Sequence, residues 1–247
     1  VAVVTGDDLM PQLDKLLDSD PSEMFSGDTP PPRESIASAN AYLGAFPIAE
    51  ALNLGADIVV TGRCVDSAVT LGACIYQFGW QQEDLDLLAA GSLAGHLIEC
   101  GPQVTGGNYT DWQEVHETLH EVGYPIAEIA ADGSMVITKP GGTGGCVTRG
   151  TVGEQLLYEI GDPTHYELPD VICDFTAVEV QQIETDRVAV SGARGLGVPE
   201  CYKASITWAD GWRVGMIGFY VGARAAEKAR IFADEAIKRA RRKLSVM

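Results

Sequence analysis

Val-Val-Thr-Gly occurs twice, at residues 3–6 and 59–62, each time leading out of a short apolar run toward a helix. A strand that leaves through a glycine into a helix is the repeating unit of open α/β sheets. The second copy sits in Ala56-Asp57-Ile58-Val59-Val60-Thr61-Gly62, which is almost wholly apolar. A strand covered on both faces in a parallel sheet reads this way. Both Thr-Gly turns would then lie at the carboxyl ends of strands, where such sheets form their ligand crevice. The expected fold of the front half is α/β, a mostly parallel sheet flanked by helices.

Apolar periodicity predicts helices from Asp8 to about Leu17, over Ala41–Leu52, over Asp66–Trp80 and over Glu83–His96. Pro30-Pro31-Pro32 forces a loop between the first two. Behind them the pattern changes. Ile126–Ile129 and Met135–Thr138 read as a strand pair around Asp132-Gly133, and a helix is expected over Val152–Ile160. Further strands are expected near 177–182, 187–191, 202–208 and 213–220, the last two as a hairpin tipped by Asp210-Gly211. The rear half is therefore expected to be α+β and antiparallel. The division falls into an α/β part, 1–115, and an α+β part, 116–247, unless the two form one integrated domain.

Charge narrows the partners. Seventeen Lys and Arg face 35 Asp and Glu, a formal net charge of −18. That field repels phosphate backbones and anionic membranes, so neither nucleic acid nor a membrane is an expected partner. Lys228, Arg230, Lys238, Arg239, Arg241, Arg242 and Lys243 crowd the last helix, as a solvated face or a dock for an acidic neighbour. No C-x-x-C pair occurs among the six cysteines, which fits reduced thiols and a cytoplasmic enzyme. The chain opens inside a strand, without Met or leader, and reads as part of a longer protein.

Five segments could carry chemistry. Lys139 to Cys146 holds Gly141, Gly142, Thr143, Gly144 and Gly145, and Thr151 and Glu154 make a T-x-x-E capping box after it. Such a loop before a helix is either a cradle for phosphate or carboxylate or a tight structural turn. Arg63 follows a strand end and could fork an anion, with Asp66 as the next helix's N-cap, or the two could pair and stitch the loop. His96 and Glu99 share a helix face, with Cys100 beside them; Glu99 could be a general acid/base, and the other two read as structural. Gly106, Gly107 and Asn108 follow. His116-Glu117-Thr118-Leu119-His120 matches H-E-x-x-H, but Ile126 stands where the extended zinc pattern wants a third His, so no metal is expected. Arg194, among Gly192, Gly195 and Gly197, could line an anion nest or a plain sheet connection.

Several pieces in this order resemble the AtuA (acyclic terpene utilisation) family. They are Val4-Thr5-Gly6-Asp7-Asp8, Ala39 to Gly44, Asp57 to Ala68, His96 to Gly101, Thr105 to Asn108, Gly123 to Glu128, Glu154 to Pro163 and Gly192 to Lys203. The resemblance implies a longer native chain, with a preceding α/β segment and a trailing ferredoxin-like domain. It also implies a place in the catabolism of acyclic terpenes and branched acids as CoA thioesters. The expected activity is hydratase- or lyase-like on an anionic acyl-CoA, with no cofactor beyond the CoA of the substrate. Arg63, Asp66, Gly106, Gly107, the Gly141–Gly145 loop and Arg194 would hold the anion, Glu99 would be the acid/base and Asn108 a polar positioner. A homo-oligomer with a small-molecule substrate is expected. The alternative is a non-catalytic scaffold or accessory subunit of an acyl-CoA carboxylase pathway, docking through the basic helix.

Overall fold

The computed structural model describes residues 1–245. Two compact units divide it, Val1–Trp208 and Ala209–Met247. The strands of the first unit are β1 (Ala2–Val4), β2 (Ile36–Ala41), β3 (Val59–Thr61), β4 (Ile126–Ile129), β5 (Met135–Thr138), β6 (Tyr166–Glu167), β7 (Ile172–Asp174), β8 (Glu179–Glu184), β9 (Arg187–Ser191), β10 (Arg194–Gly197) and β11 (Ala204–Trp208). Its helices are α1 (Leu13–Asp18), α2 (Phe46–Asn53), α3 (Ala68–Phe78), α4 (Leu85–Glu99) and α5 (Arg149–Leu157). In the second unit α6 (Ala225–Leu244) is the long element.

The molecule is mixed α/β, but the expected parallel sheet is reduced to one pair. β1 and β3 run parallel, Val4 opposite Thr61. The other strands pair antiparallel in the orders β4-β5-β9-β8, β10-β7-β6 and β11-β2. Apolarity misled here because it was read as cover on two faces. Val3 and Val60 are opposite each other and 67% and 53% exposed. Nor does the expected hairpin form: β11 pairs with β2, and Arg213–Tyr220 makes no strand.

Helix α4 organises the core. Every residue from Leu88 to Leu97 is buried, which no surface helix could sustain. Its neighbours are α3, which also packs on α2, together with β10 and α5. Glycines permit this closeness. A Cβ on Gly95 would stand 2.6 Å from the backbone of Ser67, and one on Gly91 would meet Leu71 and Trp80. Leu71, Leu88, Leu93, Leu97, Ile137 and Val152 fill the shared interior. A smaller apolar cluster, Leu13, Ile36 and Ala39 with Ile206, sits beneath α1. No helix among the described residues is long and apolar enough to cross a membrane.

Candidate functional site

The parallel pairing of β1 and β3 brings the two Thr-Gly turns side by side. Asp7, just past the first, lays its carboxylate over the second: Oδ2 accepts the Arg63 amide at 2.9 Å and the Asn40 side-chain amide at 2.9 Å. A Cβ at position 62 would run into the Asp7 carboxylate, so a side chain there would displace this clasp. The Arg63 amide, more than any other contact, holds the Asp7 carboxyl below its usual range. Arg63 then lies over the Tyr42 ring, 4.8 Å from its centre, with Nη1 3.9 Å from Asp66.

Beside this turn opens a cavity of about 400 Å³, lined by Cys64, Asp66, Val69, Thr70, Gly95, Glu99, Cys100, Tyr158 and Glu159. Asp66, Glu99 and Glu159 make its wall acidic, and among the described residues no Lys or Arg lines it. Arg63 stands at its edge through Asp66. Burial, then the three carboxylates, push the Cys100 thiol up. Tyr166 responds to the same field, its phenol pushed to about 12 chiefly by burial and next by Glu99. Glu159, as hydrogen-bond partner and negative neighbour, raises Tyr158.

Glu99 is the best-held carboxylate of the three. Its Oε1 is 3.1 Å from His96 Nδ1, the imidazole being almost fully buried at 4% and Glu99 at 17% exposure. Fully buried Gln155, from α5, donates Nε2–H to the His96 carbonyl at 2.9 Å and so fastens the last turn of α4. Among the described residues, His96 Nε2 and Gln155 Oε1 are buried without a partner. Each such atom typically costs about 1–3 kcal/mol.

The remaining candidates are elsewhere. Asp66 does not cap α3, whose N-cap is Ser67; its side chain turns to Arg63 instead. The helix after the glycine-rich loop starts one turn early: Thr148 and Thr151 form the capping box, and Glu154 accepts the Thr110 amide. The loop amides are largely spent. Thr143 donates to Pro140, Gly144 to Glu121, Gly145 to the Thr118 hydroxyl and Cys146 to Thr105. Only Gly141 and Gly142 have open space where a side chain would be. Lys139, inside the loop, is paired with Asp186 at 3.2 Å. Gly106 and Gly107 donate to Gln103 and Pro102 in the turn that closes α4, and Asn108 is exposed on it, outside the cavity lining. Arg194 lies on β10 opposite Asp174, and the Gly195 amide is taken by Asp86. His116 and His120 share no α-helix; the segment makes separate 3₁₀ turns, and His116 Nδ1 meets Gln113 O at 2.8 Å.

Tyr158 and Glu159 were not among the sequence candidates. Glu159 holds a left-handed φ of 58°, a conformation that a Glu, unlike Gly, Asn or Asp, does not signal in sequence. Asp7 was readable as a turn residue, not as the clasp between two turns.

No relative was found among curated proteins, and no solved structure matches. The family model described as acyclic terpene utilisation family protein AtuA matches residues 1–246, and the chain belongs to that family.

Proposed function

We propose that this chain is an enzyme of branched, acyclic terpenoid acid catabolism that acts on an acyl-CoA thioester by hydration, dehydration or carbon–carbon lysis. The observation that carries the reading is Glu99, a carboxylate at the wall of a 400 Å³ cavity and hydrogen-bonded to a buried imidazole. A general acid/base needs such a group within reach of the substrate and restrained in orientation. Family membership supplies the terpenoid context. The wall chemistry sorts the substrate. Val69, Gly95 and Thr70 accept the uncharged branched acyl end, while Asp66, Glu99 and Glu159 repel phosphate. The anionic part of the thioester therefore stays outside, where Arg63 stands at the edge of the cavity, over Tyr42 and beside Asp66. Hydration then requires Glu99 to take a proton from water as its oxygen adds to the β carbon of the conjugated acyl chain, the π electrons passing to the thioester as an enolate, and to return that proton to the α carbon; dehydration runs in reverse.

The test is turnover of conjugated, branched acyl-CoA thioesters, followed by loss of enoyl absorbance and by deuterium uptake from D₂O. Glu99→Gln should lower kcat by about 10²-fold or more with KM little changed, as loss of a general base does. Wild-type turnover in that variant would overturn the reading.

A further inference from the structure

We infer that His96 is a positioning residue for Glu99, holding one carboxylate oxygen through an Nδ1–H hydrogen bond so that the other serves the cavity. This rests on the reading of Glu99 as the acid/base and adds a second residue to it.

Three observations meet at this residue. The 3.1 Å contact runs from His96 Nδ1 to Glu99 Oε1. A carboxylate oxygen only accepts, so the proton lies on Nδ1 whenever Glu99 is ionised. Glu99 Oε2 has no protein partner among the described residues, and Glu99 lines the cavity. Oε2 is the atom left for substrate. The imidazole itself is 4% exposed and does not line the cavity. It acts on the reaction through Glu99.

Packing does not account for an imidazole at this position. It sits in the stretch of α4 from Leu88 to Leu97 that is buried throughout, and its Nε2 is buried with no partner among the described residues. A leucine there would fill the core without stranding a polar atom. The contact with Glu99 is what the imidazole supplies and leucine cannot. Its anchorage is also built in: the His96 carbonyl is held by Gln155, so the ring reaches Glu99 from a fixed turn. Substrate-positioning geometry of this kind acts on kcat, because an acid/base displaced by about 1 Å loses most of its effect.

The experiment pairs kinetics on a branched enoyl-CoA with NMR on the free protein labelled with ¹⁵N at the histidine rings. His96→Leu should lower kcat about 10- to 100-fold with KM within about twofold. His96→Asn, whose side-chain amide can donate from near the Nδ1 position, should recover most of that loss. A ring N–H signal should be present in the free protein, vanish in His96→Asn and move upfield in Glu99→Gln, where the acceptor loses its charge. Should His96→Leu fail to fold, the Asn variant and the NMR signal decide. Wild-type kcat in a folded His96→Leu, or a ring signal indifferent to Glu99→Gln, overturns the assignment. If Glu99→Gln turns over normally while the signal still responds to it, the acid/base reading fails and the His96–Glu99 bond stands.

Discussion

Asp7 shows how one side chain ties separate parts of the chain together. It accepts from Arg63, fifty-six residues away, and from Asn40 on β2, and it occupies the space that Gly62 leaves. The repeated Thr-Gly pattern announced that two turns would be alike. It could not announce the clasp, because Asn40 lies in Ala-Ser-Ala-Asn-Ala, a strand of small residues without alternation. The bonds favour the ionised form, so the folded pKa of Asp7 is lowered. Its contribution is therefore present above the unfolded value, roughly 4, and is lost as pH falls through the folded value. Asp7→Asn should cost about 1 kcal/mol at pH 7, below the usual worth of hydrogen bonds to a charged group because solvent screens this carboxylate. The gap from wild type, read by urea denaturation, should narrow toward pH 3. A gap that stays constant would show that charge has no part in it.

Among the elements, those with clean alternation were legible. β4, β5 and β9 carry their expected bounds, and in β5 and β9 buried residues (Met135 and Ile137, Val188 and Val190) alternate with wetter ones. α4 was legible as a helix, though its burial on all sides was not. Turn chemistry was less transparent. Two threonines three apart competed with a Thr-Glu pair for the start of α5, and Thr148 won because Thr151 returns its bond to the Thr148 amide. Thr148→Ala should cost about 1 kcal/mol in stability, and Glu154→Ala less, since that carboxylate is no part of the cap. Equal losses would reverse the assignment. Gly95→Ala tests the α3–α4 approach. Its Cβ would press on the Ser67 backbone, which cannot yield as a side-chain tip can. Overpacking of this kind costs about 1–3 kcal/mol and should lower Tm by several degrees. The same methyl would enter the cavity wall that Gly95 lines.

For the molecule as a whole, charge and compactness divide at the same place. Residues 1–208 hold 8 Lys and Arg against 31 Asp and Glu, a net of −23, and residues 209–247 hold 9 against 4, a net of +5. The compact unit ending at Trp208 includes β11, which closes onto β2 and brings Ile206 to the Leu13, Ile36 and Ala39 cluster. The first compact unit thus ends with β11. A 1–208 chain should melt cooperatively, whereas a 1–202 chain, which loses β11, should be less stable by about 1 kcal/mol or more from the partial burial of Ile206 alone. On an anion exchanger the 1–208 chain should elute at higher salt than the full chain, because what was removed is net positive. Equal stability of the two truncations would mean that the β2–β11 pair adds nothing to the body. A 1–208 chain unfolded at room temperature would mean that the body needs residues beyond β11, and the boundary would then have to move toward α6.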